Sequence, residues 1–192
     1  MNDIVLDNIS KSFGEKKVLE DFSCVFKGGE ITCVYGASGK GKTTLLNVIA
    51  GLTKPDGGEI AGTPEKISFV FQEDRLCEDF SAVSNVRLVC PKMPKKEIIT
   101  HLGELGLAEA AGKPVKEYSG GMKRRVAIAR AIAYGADLIL LDEPFKGLDE
   151  TLKTDVINYI KRHTEGKTVI CVTHDRSDST LLGGNILDLD LK

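Results

Sequence analysis

The chain has 192 residues, 42% of them hydrophobic and 28% charged, with a formal net charge of -2. That composition suits one α/β domain with a sizeable core, and the near-balanced charge excludes the broad basic surface that a nucleic-acid partner would need. No signal peptide and no bilayer-length apolar run are visible, so a cytosolic chain is expected, with any membrane pore on another polypeptide.

In chain order, Ile4-Val5-Leu6-Asp7-Asn8-Ile9 and Phe22-Ser23-Cys24-Val25-Phe26 alternate like half-buried strands, and Gly28-Gly29 turns the chain into the next one. Ile31–Tyr35 is short, apolar and β-branched, which predicts a buried strand. Gly36-Ala37-Ser38-Gly39-Lys40-Gly41-Lys42-Thr43 follows it directly, then Thr44 and a helical run that stops at Gly51. The glycines let the backbone curl with its N–H groups inward. With the helix N-terminus, those donors attract phosphate oxygens. In such a loop Lys42 reaches the β- and γ-phosphates and the Thr43 hydroxyl can ligand Mg²⁺. An ordinary Gly-rich turn does not account for both flanks, so the segment predicts a nucleoside triphosphate site.

Pro55-Asp56-Gly57-Gly58 reads as a turn before a short strand around Glu59-Ile60, and the apolar run Ile67-Ser68-Phe69-Val70-Phe71 leads to Gln72. From 74 to 118 the character is helical, with Ile98, Ile99, Leu102 and Leu105 on one stripe that ends at Gly106. Pro91 and Pro94 break that segment. Ser119 is a natural N-cap, and Gly120-Gly121 lets the chain approach a ligand at a helix start, a second phosphate-binding terminus. The next helix has Val126, Ala129 and Ala133 on its apolar side, with Lys123-Arg124-Arg125 expected on a solvated face. Leu138-Ile139-Leu140-Leu141 ends in Asp142-Glu143, and the C-terminal ends of such strands face the ligand crevice of an open parallel sheet. Asp142 is suited to hold Mg²⁺ through water, and Glu143 to polarise an attacking water. The same pair could also be only a helix cap or a turn. The five cysteines are scattered without metal-ligand spacing, and several sit in apolar runs and read as small core residues of a reducing compartment.

The order of these segments resembles the ATP-binding-cassette ATPases over essentially the whole chain. It runs phosphate loop, Gln72, Tyr118-Ser119-Gly120-Gly121-Met122, Asp142-Glu143-Pro144, Leu148-Asp149, and Thr173-His174-Asp175 after a last apolar strand. The resemblance implies one P-loop NTPase domain over 1–192, with a mixed, mainly parallel central sheet, an N-terminal antiparallel β subdomain and a short helical insert at about 74–118. It implies ATP and Mg²⁺ as cofactors and ATP hydrolysis as the reaction. Glu143, His174 and Gln72 would be catalytic, with Thr43, Gln72 and Asp142 around the metal. Nucleotide would be held by Gly36, Ala37, Ser38, Gly39, Lys40, Gly41, Lys42, Thr43 and Thr44. Phe13 falls where the family stacks a ring on adenine, the alternative being core packing.

In this family two copies pack head to tail. Ser119, Gly120 and Gly121 of one would then close on the nucleotide of the other, with Asp149 reaching across. The partner would be a second ATPase subunit, a homodimer or a different cassette. A membrane permease gripped by the insert and, indirectly, a solute-binding protein are also implied, with the chain peripheral on the inner face of the cell membrane. Phe71-Gln72-Glu73-Asp74-Arg75-Leu76 looks like importers of the nitrate, sulfonate and taurine type. The alternative is a soluble member of the superfamily working in cofactor assembly. Lys40, Met122 and Lys146 depart from the residues usual at their positions, a small residue, Gln and Gly respectively.

Overall fold

The structure, a computed structural model, describes residues 1–190. The chain runs β1 (Ile4–Phe13), β2 (Lys16–Phe26), β3 (Ile31–Tyr35), α1 (Lys42–Ile49), β4 (Gly57–Ala61), β5 (Ile67–Val70), α2 (Ala82–Arg87) and α3 (Lys95–Glu104). It continues through α4 (Gly120–Ala133), β6 (Leu138–Asp142), α5 (Glu150–His163), β7 (Thr168–Thr173), α6 (Arg176–Leu182) and β8 (Asn185–Asp188).

Among the described residues the strands form two sheets, an antiparallel one ordered β2-β1-β4 and a five-stranded one ordered β5-β6-β7-β3-β8. Every pairing in the larger sheet is parallel. The expected P-loop NTPase architecture is present, with antiparallel pairing confined to the smaller sheet. Strands β6 and β7 are buried along their whole length, as continuous aliphatic runs in a parallel sheet covered on both faces must be.

Alternation divides the core. Leu138, Leu140, Ile170 and Val172 pack with Leu45, Leu46 and Ile49 of α1 and with Ile4, Leu6 and Ile9 of the antiparallel sheet. Ile139, Leu141, Val169 and Cys171 face the other way, onto α4, α5 and the segment holding α2 and α3. The antiparallel sheet therefore covers the phosphate-loop helix, while the helical segment covers the opposite side.

Strands β1 and β2 run further than their alternation predicts, because register shifts after Leu6 and Ile9 interrupt the two-residue period. Gly57 and Gly58, expected in a turn, belong to β4. A Cβ on Gly58 would lie 2.4 Å from the carbonyl oxygens of Asp7 and Asn8, so the glycine serves close strand approach. Asp56 makes the turn, accepting from the Ser12 N–H at 2.7 Å and from Lys11 Nζ at 2.6 Å.

Between β5 and α4, Ile98 and Leu102 of α3 are fully buried, and Gly106 closes the helix at φ +68°. A polar seam joins α3 to α5. His101 Nδ1 lies 2.8 Å from the Tyr159 hydroxyl, and Glu104 contacts His163 at 3.0 Å and Arg162 at 2.9 Å. No helix among the described residues is long and apolar enough to cross a membrane.

Candidate functional site

The phosphate loop leaves the C-terminal end of β3 and enters α1 through Gly41, whose φ of +83° makes it a left-handed N-cap. A Cβ there would lie 2.9 Å from the Val18 carbonyl oxygen, so the loop is pressed onto β2. Helix α1 has no side-chain cap and no acidic residue in its first turn, which leaves its first N–H groups for a ligand. Lys42 is buried, and its Nζ donates to the carbonyls of Gly36 at 2.6 Å and Ala37 at 2.9 Å.

A cavity of about 300 Å³ opens beside the loop. It is lined by Ser38, Gly39, Gly41, Lys42, Thr43 and Thr44, by Lys16 and Val18 of β2, and by Gln72, Asp142 and Glu143. Gly36, Ala37 and Lys40 belong to the loop but face its outer side. Gly36 backs onto Leu189, the Ala37 N–H donates to Asp190 at 3.1 Å, and Lys40 Nζ stands 3.9 Å from the Asp190 carboxylate. Phe13 is 55% exposed, so it is not a core residue. It pairs in register with Lys16, at the rim, and Lys11 Nζ lies 5.5 Å from its ring centroid.

Asp142 closes β6 and is 1% exposed. Burial raises its carboxyl above the usual carboxylate range, partly offset by a hydrogen bond from the Thr43 hydroxyl. Its Oδ1 is buried with no hydrogen-bond partner. An orphaned carboxylate oxygen beside a threonine hydroxyl is a hard oxygen donor set, and it fits Mg²⁺.

Glu143 has a left-handed backbone, φ +50°, a conformation that costs a non-glycine residue about 1–3 kcal/mol and must be held by its surroundings. The bond from its N–H to the Val172 carbonyl at 2.9 Å is one such hold. Its Oε2 lies 2.5 Å from His174 Nδ1. The next helix is capped by Asp149, so the Asp142-Glu143 pair does not cap one.

A second cavity, of about 630 Å³, is lined by Ser119, Gly120, Gly121, Arg124, Arg125, Lys146, Asp149 and, again, Gln72. Ser119 caps α4 by accepting from the Met122 N–H at 3.3 Å, and Asp149 caps α5 by accepting from the Leu152 N–H at 2.9 Å. A Cβ on Gly121 would lie 3.3 Å from Leu148 Cδ2. The structure thus gathers the phosphate loop, Gln72, Asp142 and Glu143 at one cavity, with His174 joined to it through Glu143. It puts Ser119, Gly120, Gly121 and Asp149 in another, with Gln72 common to both cavities.

Arg124 and Arg125 are not on a solvated face. They are 5% and 8% exposed. Arg124 donates to the carbonyls of Phe71 at 2.6 Å and Gln72 at 2.5 Å, and its Nε stands 3.3 Å from Asp74. Arg125 donates to Leu105 at 2.6 Å and to Gly121 at 3.1 Å. Arg130 donates to Arg75 at 2.9 Å and to Asp74 at 3.2 Å. The carbonyls after β5 have left their strand ladder, and planar guanidinium forks satisfy them. Of the basic cluster, Lys123 keeps an exposed partner, Glu78, at 2.6 Å.

Residues 19–146 match the family model described as ABC transporter. The taurine import ATP-binding protein TauB of Roseobacter denitrificans is 36% identical over 97% of this chain and 77% of its own length. The macrolide export ATP-binding/permease protein MacB 2 of Yersinia pestis is 36% identical over 90% of this chain, which spans only 29% of that protein. Among solved structures, the dimeric bacterial ABC transporter cassette MJ0796 superposes with a TM-score of 0.86 at 31% identity, covering 97% of this chain and 94% of that one.

Proposed function

Since the chain belongs to the ABC transporter family and is one of its ATPases, we propose that it is the ATP-hydrolysing subunit that drives a separate membrane permease for import. The observation that carries this reading is the division of the site between two cavities. The phosphate loop and Glu143 line one, and Ser119, Gly120, Gly121 and Asp149 line the other. Two copies packed head to tail would make each site whole, and the similar cassette MJ0796 is dimeric. The permease places the subunit on the inner face of the cell membrane, with a solute-binding protein acting from the far side.

On ATP binding, Lys42 exchanges the Gly36 and Ala37 carbonyls for phosphate oxygens, and the N–H groups at the start of α1 take the rest of the charge. Thr43 and Asp142, with Gln72 beside them, would hold Mg²⁺, which supplies neutralisation of the phosphate charge. Glu143 polarises the attacking water, and His174 holds the Glu143 carboxylate in place until the nucleotide enters. The nucleotide shifts the pair of subunits toward closure only through its tighter binding to the closed form, and Ser119 of the second copy supplies that difference. Hydrolysis removes it, and the permease is released to its other state.

Two observations support import: the importer-like sequence 71–76, and TauB aligning over 97% of the chain against 90% for MacB 2 at equal identity. The equal identity of MacB 2 favours export as the second reading.

The test is Glu143→Gln. It should bind ATP as the wild type does, hydrolyse it at least about 10²-fold more slowly and accumulate as an ATP-dependent dimer by light scattering. Wild-type turnover would overturn the assignment. Purification from gently solubilised native membranes separates the transport readings. A permease with a solute-binding protein supports import, a permease alone supports export, and a soluble partner alone points to cofactor assembly.

A further inference from the structure

Lys153 lies in the first turns of α5, four residues beyond the cap Asp149, and its side chain is only 6% exposed. A buried ammonium must be paired. Its Nζ stands 2.5 Å from Asp178 Oδ1, 3.1 Å from Asp175 Oδ2 and 3.6 Å from Glu150 Oε1. Asp175 and Asp178 come from the turn after β7 and the first turn of α6. The Asp178 side chain is itself 5% exposed, and its Oδ2 accepts from the Thr173 hydroxyl at 2.7 Å. The Thr173 hydroxyl oxygen in turn accepts from the Asp175 N–H at 3.1 Å.

His174 sits between those two anchored residues. One ammonium fixes the chain on both sides of it, Asp175 directly and Thr173 through Asp178. Burial opposes the charge on Lys153, but its hydrogen bonds to Asp178 and Asp175 outweigh burial and raise its pKa. The ammonium therefore persists at neutral pH. His174 then meets Glu143 at 2.5 Å, while Asp149 at the head of the same helix lines the second cavity.

We propose that Lys153 is a positioning residue for hydrolysis: it sets His174 against Glu143 and ties that pair to the helix turn that carries Asp149. The proposal rests on the ATPase reading of Glu143. Neither Lys42 nor Thr43 belongs to the network, so its effect falls on turnover and not on nucleotide affinity.

The experiment compares steady-state ATP hydrolysis and fluorescent-nucleotide affinity for wild type, Lys153→Met, Lys153→Arg and Glu143→Gln. Lys153→Met should lower kcat, counted per nucleotide-binding site titrated with the fluorescent nucleotide, by about tenfold or more with KM within about twofold, a split that loss of folded protein does not produce once turnover is counted per site. Arginine, which keeps the charge and can fork to both carboxylates, should recover most of kcat. Wild-type kcat in Lys153→Met overturns the proposal, as does a KM that rises in step with the fall in kcat. A folded, nucleotide-binding Lys153→Arg without recovery also overturns it. If Lys153→Met does not fold, Asp178→Asn takes its place, with the same split expected and wild-type kcat again decisive against. Wild-type turnover in Glu143→Gln is a separate outcome, which removes the assignment of Glu143 on which the proposal rests.

Discussion

Arg124 holds the carbonyl oxygen of Gln72 at 2.5 Å across a sequence separation of 52 residues. Gln72 lines both cavities, so its place is set from α4, the helix that begins at Ser119. One side chain thus joins the helix capped by Ser119 to the residue beside the phosphate loop.

Arg124→Met keeps most of the packing volume but leaves the Phe71 and Gln72 carbonyls and the Asp74 carboxylate without their partner. The expected loss in urea unfolding is about 3 kcal/mol, since a buried charge partner and its hydrogen bonds go together. Hydrolysis should fall more than ATP affinity. Arg124→Lys should restore only part of either, because an ammonium cannot fork to two carbonyls in one plane.

Asp142→Asn should raise the melting temperature of the nucleotide-free protein. The neutral amide removes the burial cost that now raises the Asp142 carboxyl pKa. A gain of about 1 kcal/mol corresponds to about 2–4 °C in a domain of this size. The further stabilisation by ATP should then depend less on added Mg²⁺ than in the wild type, and thermal melts with and without the ion check both halves.

Gly41→Ala places a Cβ at a φ of +83° and 2.9 Å from the Val18 carbonyl oxygen. Either the loop shifts off β2 or the backbone stays strained by about 1–3 kcal/mol. ATP affinity measured by calorimetry should fall at least about tenfold, since about 1.4 kcal/mol is a factor of ten.

Acid should loosen the seam between α3 and α5. Burial, and then the nearby His163, lower the pKa of His101 below the ordinary 6.5, with Glu104 and Glu97 opposing. The unfolded chain therefore binds the proton more readily, and stability declines as pH falls below about 6.5 until the folded form is protonated as well. The melting temperature should drop between about pH 7.5 and about pH 5.5, and His101→Gln should flatten that drop. An unchanged slope in the variant would assign the drop to other groups.

What could be read directly from the sequence was what is local in it. The phosphate loop, the Ser119 cap and the carboxylates ending β6 each do their work within a few residues, so spacing exposes them. Arg124 and Arg125 looked solvated because their acceptors are carbonyls of distant segments, and composition gives a carbonyl no signal. The paired glycines Gly57 and Gly58 suggested a turn, yet Gly58 is there because the carbonyls of Asp7 and Asn8 leave no room for a Cβ. Beyond Ile9 the bulged register of β1 erases the alternation that would have revealed the rest of the strand. The left-handed backbone of Glu143 and the pairing of Lys153 with α6 arise only once the sheet is assembled.

Lys42 seats its ammonium on the carbonyls of Gly36 and Ala37, so under the proposed function it would be a mould for the loop as well as a clamp on a phosphate. Exchanging it for alanine takes away that mould along with the charge, so the resulting loss of affinity overstates the worth of a single phosphate contact. The contrast between arginine and methionine at this position, which both keep a long side chain in the slot, isolates what the charge itself contributes.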